Sequence, residues 1–347
     1  MASVARGWQA IEEHTGVRSA ANELVLAKPL ARGRPLVGYA LVVSGALLGG
    51  INATVAKVTI VSGDVSAVRL AQFRAVTAAA LLLAALTCAR RRTIVPPRRQ
   101  LPFLVAFGVV GLALAQASYF LSIERLEIGV ALLIVNVSIV FVATWGRLVG
   151  SEQAGARLWI AIVLALAGLA LVVEAWRAAT LDALGVTAAL VAALTYSTYI
   201  LLADRNARLG GHASVFVAWG FAFASVFWAV ARPWWTFPFE RLDDRVSLLG
   251  RLGEHTGPVW LLLLYVVPFG TVGVFVLYAA ALRYISPTHV MLVGVLEPVF
   301  ATVVAFAWLG ETLAPPQLAG AVLVVAALLL AQSARARAPR EPDQPQR

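Results

Sequence analysis

Charge is what this sequence has least of: Asp, Glu, Lys and Arg together make 13% of its 347 residues, against 60% hydrophobic. A soluble chain of this length could not hide so much apolar surface, because the polar exterior needed to cover it is missing. Lysine is confined to Lys28 and Lys57, and no G-x-x-x-x-G-K-[ST] loop occurs, so ATP is not expected to drive the protein directly. The single cysteine, Cys88, excludes an internal disulfide. His14, His212, His255 and His289 are too scattered to build a metal site, and no cofactor is expected. The apolar runs hold no Ser/His/Asp set and no paired carboxylates, so the chain does not read as an enzyme. The net charge of +10 is not gathered into a basic domain interleaved with aromatics, which sets nucleic acid aside as a partner.

What is there instead is a series of apolar runs of about 20 residues, the length that crosses a ~30 Å hydrocarbon core. The reading is an all-α polytopic membrane protein whose partner is the lipid bilayer. Ten spans are expected, near 37–57, 66–88, 101–121, 127–149, 158–175, 184–203, 212–231, 258–282, 287–309 and 315–333. Residues 1–36 mix glutamates and arginines without an apolar core, so they read as a cytoplasmic tail rather than a secretory signal. Residues 334–347 read as a second such tail. Arginines concentrate in alternate connections, most densely in "RRRTIVPPRR" (90–99), which places both termini in the cytoplasm. The arginine richness suits a GC-rich bacterial genome, hence a bacterial inner membrane. The longest connection, Arg232–Gly257, opens with Trp234, Trp235, Phe237 and Phe239, rings suited to a membrane interface. Residues 241–252 fit either a surface amphipathic helix or a solvated loop.

The chain also repeats. Residues 119–152 align without a gap on 278–311, with Tyr119 on Tyr278, Leu133 on Leu292, Val140 on Val299, Phe141 on Phe300 and Glu152 on Glu311. Each copy is a span pair at the same place in a five-span half, giving repeats over 37–175 and 184–333. Five is odd, so the halves cross the membrane in opposite senses. Inverted repeats are an architecture of secondary transporters, which hold substrate near the midplane.

The residues "LEPVFATVVAFAWLGETLAPPQLAGAVLVVAALLL" (296–330) and "LAQFRAVTAAALLLAAL" (70–86) resemble the drug/metabolite transporter superfamily, in particular its EamA-like repeat. The resemblance covers about residues 37–333, and "SYFLSIERLEIGVAL" (118–132) is closest to bacterial exporters of amino acids and metabolites. It implies export of a small polar metabolite, an amino acid or related compound, by alternating access. The alternatives are another solute class, such as a drug or a nucleotide-related compound, a membrane-embedded enzyme, or a scaffold that transports nothing. The first repeat departs from the pattern: Ser138 and Ile139 stand where a proline is usual, and "GSE" replaces "LGE". A weaker helix break is expected there.

The charges inside the spans carry the functional reading. Between Met291 and Leu309 the only one is Glu297, followed at once by Pro298. A carboxylate at this depth costs about 2.5–3.5 kcal/mol on insertion scales, so it should face a cavity or a partner. Pro298 has no N–H and frees the Gly294 carbonyl, which is tolerated only against protein or water. Arg74 lies about 12 Å along the second span and is the natural counter-charge, whereas Arg69 can snorkel to the interface. One cation and one anion suit a zwitterion better than a phosphorylated solute, which would want several basic residues at depth. Gln116, Tyr119, Asn136, Tyr196 and Tyr199 are further substrate-binding candidates, although interhelical hydrogen bonds account equally well for such groups. Asn52 is a weaker one. Protons are a candidate coupling ion through Glu297; an oligomeric state is not specified. Gly45 and Gly49 are expected to let helices pack closely, and Pro268 to kink the eighth span.

Overall fold

The computed structural model describes residues 34–89, 95–96, 98–123, 125–126, 128–149, 155–177, 182–233, 237–310, 312 and 314–336. Most of the two expected tails, Arg90–Arg92, Trp234, Trp235, Glu152 and Glu311 lie outside these residues. The described chain forms ten helical spans. They are α1 (Pro35–Gly63), α2 (Ala67–Cys88), α3 (Arg98–Ile123), α4 (Ile128–Asn136 with Ser138–Leu148) and α5 (Ala156–Val172), then α6 (Ala183–Arg208), α7 (Ala213–Ala231), α8 (Val259–Ala281), α9 (Pro287–Leu309) and α10 (Pro315–Ala336). Nine are long and apolar enough to cross a membrane; α5 is apolar but shorter, at 17 residues. The protein is thus an all-α membrane protein of two inverted five-helix repeats, as its sequence implied.

Local chemistry sets the helix ends. Prolines open α1, α9 and α10, where a missing N–H costs nothing. The Ser66 hydroxyl accepts from the Arg69 N–H at the start of α2, and the Asp182 carboxylate accepts from the Gly185 N–H at the start of α6. Gly310, at φ 73°, ends α9 in the left-handed conformation that a residue without Cβ adopts freely.

The irregular points of the helices come in repeat-related pairs. α3 carries a wide π turn over Phe107–Leu114, and α8 carries one over Pro268–Gly273. Under the repeat alignment these segments overlap. The kink expected at Pro268 is therefore a π turn, with a counterpart that contains no proline. Likewise α9 is interrupted at Val295 and α4 at Val137, one position apart in the alignment. The weaker break expected in α4 is a real one: the Val137 N–H bonds the Ile134 carbonyl and the Val140 N–H bonds the Val137 carbonyl, both three residues back. Tertiary packing holds this interruption without a proline.

An even number of spans puts the start of α1 and the end of α10 on one face, here the terminal face. On the other face the Arg232–Gly257 connection is neither of the two forms expected. It folds as a two-stranded antiparallel hairpin, β1 (Arg245–Ser247) with β2 (Thr256–Pro258), with one short 3-10 turn before it and another between its strands. Its apolar side chains Leu242, Val246, Leu248 and Leu249 join those of α1, α2, α8 and α9 in a separate core, which explains why it does not lie free on a membrane surface. Arg241 pairs with Asp64 at 3.2 Å, and the Trp308 indole N–H donates to the Leu248 carbonyl at 2.9 Å. Phe237 stacks on Phe73 inside the protein, while Phe239 remains half exposed. On the terminal face Arg283 donates to the Gly211 carbonyl at 2.6 Å and ties α8 to the α6–α7 turn. At the other edge of the bundle, α5 and α10 meet through Gly168 and Gly320, each facing the other's backbone carbonyl.

Candidate functional site

Glu297 sits just past the break in α9. Its carboxylate rests on Gly49 of α1: a Cβ added there would lie 2.6–3.0 Å from the carboxylate atoms. Gly45, one turn earlier, gives the same close seat to the Tyr278 ring, and the Tyr278 hydroxyl donates to Glu297 Oε2 at 3.3 Å. The two glycines do let helices approach, as expected. Here the neighbours they admit are an acid and a phenol rather than an apolar ridge. Among the described residues no cation comes within 4.0 Å of this carboxylate.

Arg74 is where that observation corrects the sequence reading. It does not ion-pair with Glu297. Its Nε donates to Thr271 Oγ1 at 2.7 Å and its Nη2 to the Gly270 carbonyl at 3.4 Å, both within the α8 π turn. One acceptor is a side-chain hydroxyl and the other a backbone carbonyl of the widened turn. Thr271 donates its own proton back to the Val266 carbonyl at 2.8 Å. The guanidinium still feels the field of Glu297, as do Tyr119, Tyr196 and Tyr278. One acid at a helix break is thus hydrogen-bonded by Tyr278 of α8 and lies within electrostatic reach of side chains from α2, α3 and α6. Glu297, Arg74, Tyr119 and Tyr196 are only part buried, so the cluster borders open space rather than solid core.

The other expected residues divide. Tyr199 is fully buried, stacks on Tyr196 and Phe107, and donates to the Phe275 carbonyl at 3.1 Å. It belongs to the packing beneath Tyr196 rather than to the cluster. The Asn136 amide donates to the Leu132 carbonyl of its own helix. Gln116, one turn before Tyr119, has both amide atoms buried without a hydrogen-bond partner. Sequence reasoning passed over Tyr278, Thr271 and the seat at Gly49. Tyr278 was discoverable, because it is the repeat mate of Tyr119. Asn52, its Oδ1 buried without a partner, presses against Gly270 of the π turn that Arg74 holds.

The repeat gives this cluster a mirror image without charge. Ser138 takes the place of Glu297 in the alignment, and its backbone carbonyl accepts from Ser197 of α6, at 3.2 Å. Counted from the helix starts, Arg74 corresponds to Gly220. Phe107 and Leu112 fill the space beside Gly220. Each charge therefore occurs in one half without a charged mate in the other: the base in the first, the acid in the second.

The spans also pack unequally. On the terminal side the first half of α9 (Pro287–Gly294) packs against the second half of α4 (Ser138–Leu148). The repeat-related pair toward the hairpin face, Ile128–Asn136 and Leu296–Leu309, shows no comparable packing among the described residues. Most of Pro287–Val295 is buried, whereas in the matching stretch of α4 Leu132–Val137 are only part buried. The bundle is closed below the cluster and looser above it.

Inverted repeats, paired helix breaks at mid-depth and an acid beside one of them define a membrane transporter. The family comparison agrees: the model of the EamA-like transporter family matches residues 36–174 and 183–332, and the chain belongs to that family. It is 26% identical over 236 residues to an uncharacterized transporter of Archaeoglobus fulgidus, an alignment covering 68% of this chain and 77% of that one. It is 36% identical over 73 residues to the uncharacterized inner membrane transporter YhbE of Escherichia coli, covering 21% of this chain and 23% of that protein. One solved crystal structure superposes over 88% of this chain and 100% of its own at a TM-score of 0.66, with 16% identity, a likeness of fold.

Proposed function

We propose that the protein is a secondary transporter of the bacterial inner membrane, with both termini cytoplasmic. It exports a small polar metabolite, an amino acid or related compound, by alternating access. The observation that carries this reading is the Glu297 carboxylate: near mid-depth, seated on Gly49, and hydrogen-bonded among the described residues by the Tyr278 hydroxyl alone. A part-buried carboxylate at this depth without a close counter-charge is costly, and a solute ammonium group supplies one. Tyr119, Tyr196 and Gln116 complete the binding surface. The unequal packing of α4 and α9 supports alternating access, since exchanging the two packings between the repeats would move the opening to the terminal face. Under the topology proposed here the described state faces outward.

Counterflow in proteoliposomes tests the reading. Vesicles preloaded with unlabelled amino acids should accumulate the matching labelled compound, and Glu297→Gln should reduce that uptake at least tenfold while the protein remains folded. Uptake unchanged by Glu297→Gln would remove this site from the transport path.

A further inference from the structure

Both charges of the cluster were expected to hold a zwitterion between them, and the hydrogen bonds distribute them otherwise. Arg74 uses Nε and Nη2 on the α8 π turn, and these two nitrogens form the side-on edge from which a guanidinium grips a carboxylate with two parallel bonds. The receiving Thr271 is itself tied back to Val266, so the arginine closes a chain of bonds across the widened turn. Glu297 is the opposite case. An ionised carboxylate has room for about four hydrogen bonds, and among the described residues this one receives a single bond, from a neutral phenol. Tyr119, Tyr196 and Tyr278 stand in its field, and the part-buried Tyr119 and Tyr196 border the same open space. Aromatic faces attract an ammonium group and add to a nearby carboxylate. The polar group with unused capacity next to Tyr119 is the Gln116 amide, which suits a neutral donor or acceptor better than an ion.

We propose that the site recognises one charge only: an ammonium group, held by Glu297 among Tyr119, Tyr196 and Tyr278. Arg74 is then a positioning residue for the α8 turn, not a ligand for a solute carboxylate. The solutes favoured are amines whose remaining polar groups are neutral, such as amino-acid amides and simple alkylamines, over the corresponding free amino acids. This rests on the proposed transport role of the Glu297 site and narrows its substrate class.

The test uses matched compounds on the purified full-length protein, with binding read by thermal stabilisation and transport by counterflow. For leucine the set is leucinamide, 3-methylbutylamine, leucine and 4-methylpentanoate; the alanine and phenylalanine sets are built the same way. Leucinamide and the amine are expected to bind at least threefold tighter than leucine, and 4-methylpentanoate not at all. Glu297→Gln should weaken the amines at least tenfold. Arg74→Gln should lower thermal stability yet change the amine-to-leucine affinity ratio less than threefold, with Arg74→Lys restoring part of the stability. Leucine binding tenfold tighter than leucinamide, with that preference lost in Arg74→Gln, would overturn the proposal and leave the transport reading intact. Binding of no amine in any set also overturns it. Glu297-independent transport would defeat the transport reading of this site as well.

Discussion

A glycine in a transmembrane helix is easily taken for a packing device, and at Gly49 the packing partner is Glu297, the acid proposed to bind substrate. A methyl group there would sit 2.6–2.7 Å from the nearest carboxylate atoms, closer than a real Cβ approaches its neighbours. Gly49→Ala is expected to displace Glu297, cost about 1–3 kcal/mol as overpacking does, and reduce counterflow at least tenfold. Gly155→Ala, beside which no described residue lies within 4 Å, is the control without a clash and should cost only the N-cap preference for glycine over alanine. Thermal unfolding in detergent and proteoliposome uptake read the two effects separately. Arg74 lends itself to a double-mutant cycle. Arg74→Ala should cost about 1.5–3 kcal/mol, the range for hydrogen bonds to a charged group. The combination with Thr271→Val should be less damaging than the two single effects added, because both remove the same bond. The combination with Glu297→Ala should show weaker coupling, since those two side chains do not touch. A cycle in which Glu297 couples to Arg74 more strongly than Thr271 does would restore the ion pair expected from sequence.

At the level of the helix, the two π turns and the two breaks are the features that proline counting half revealed. Pro298 announces the interruption of α9 and Pro268 that of α8. Nothing in the local sequence announces their counterparts in α4 and α3, because a break held by neighbouring helices leaves no compositional trace. A direct consequence concerns Ile139, which aligns with Pro298. Ile139→Pro should be tolerated, costing much less than the ~3 kcal/mol or more of a mid-helix proline, because the ladder there is already interrupted. Val142→Pro, three residues later in the regular and buried part of α4, should prevent folding. Expression yield and unfolding midpoint of the two variants decide the matter; equal damage would mean that the α4 interruption contributes no slack.

For the whole molecule, the unequal packing of the two halves makes a prediction about access. In a Cys88→Ser background, single cysteines replacing Tyr119 or Val135 should react with a water-soluble thiol reagent applied from the hairpin face. A cysteine at Leu292, which is 1% exposed on the closed side, should react from neither face. Reactivity at position 292 matching that at 135 would mean the bundle is not held closed below the cluster. The same background fixes orientation. Position 99, at the start of α3, and position 243, before the hairpin, lie on opposite faces. The arginine distribution predicts labelling of 99 from the cytoplasm and of 243 from outside, and labelling of both from one side would refute the span count.

Hydropathy, the placement of arginine and the gapless match of 119–152 on 278–311 were enough to derive ten spans in two opposed halves. Those properties act through the bilayer, which each segment meets on its own and largely independently of its neighbours. The same holds for the prominence of Glu297, since a lone carboxylate in an apolar run is costly wherever the run ends up. Which group answers that charge could not be read in this way. Arg74 and Thr271 are far apart in the chain, as are Gly49 and Glu297, and their meetings depend on how α1, α2, α8 and α9 cross. Hydrogen bonds reach only about 3 Å, so two charges at similar depth become partners or bystanders according to helix rotation. Only the folded bundle decided that Arg74 serves the π turn and that Glu297 is left with Tyr278.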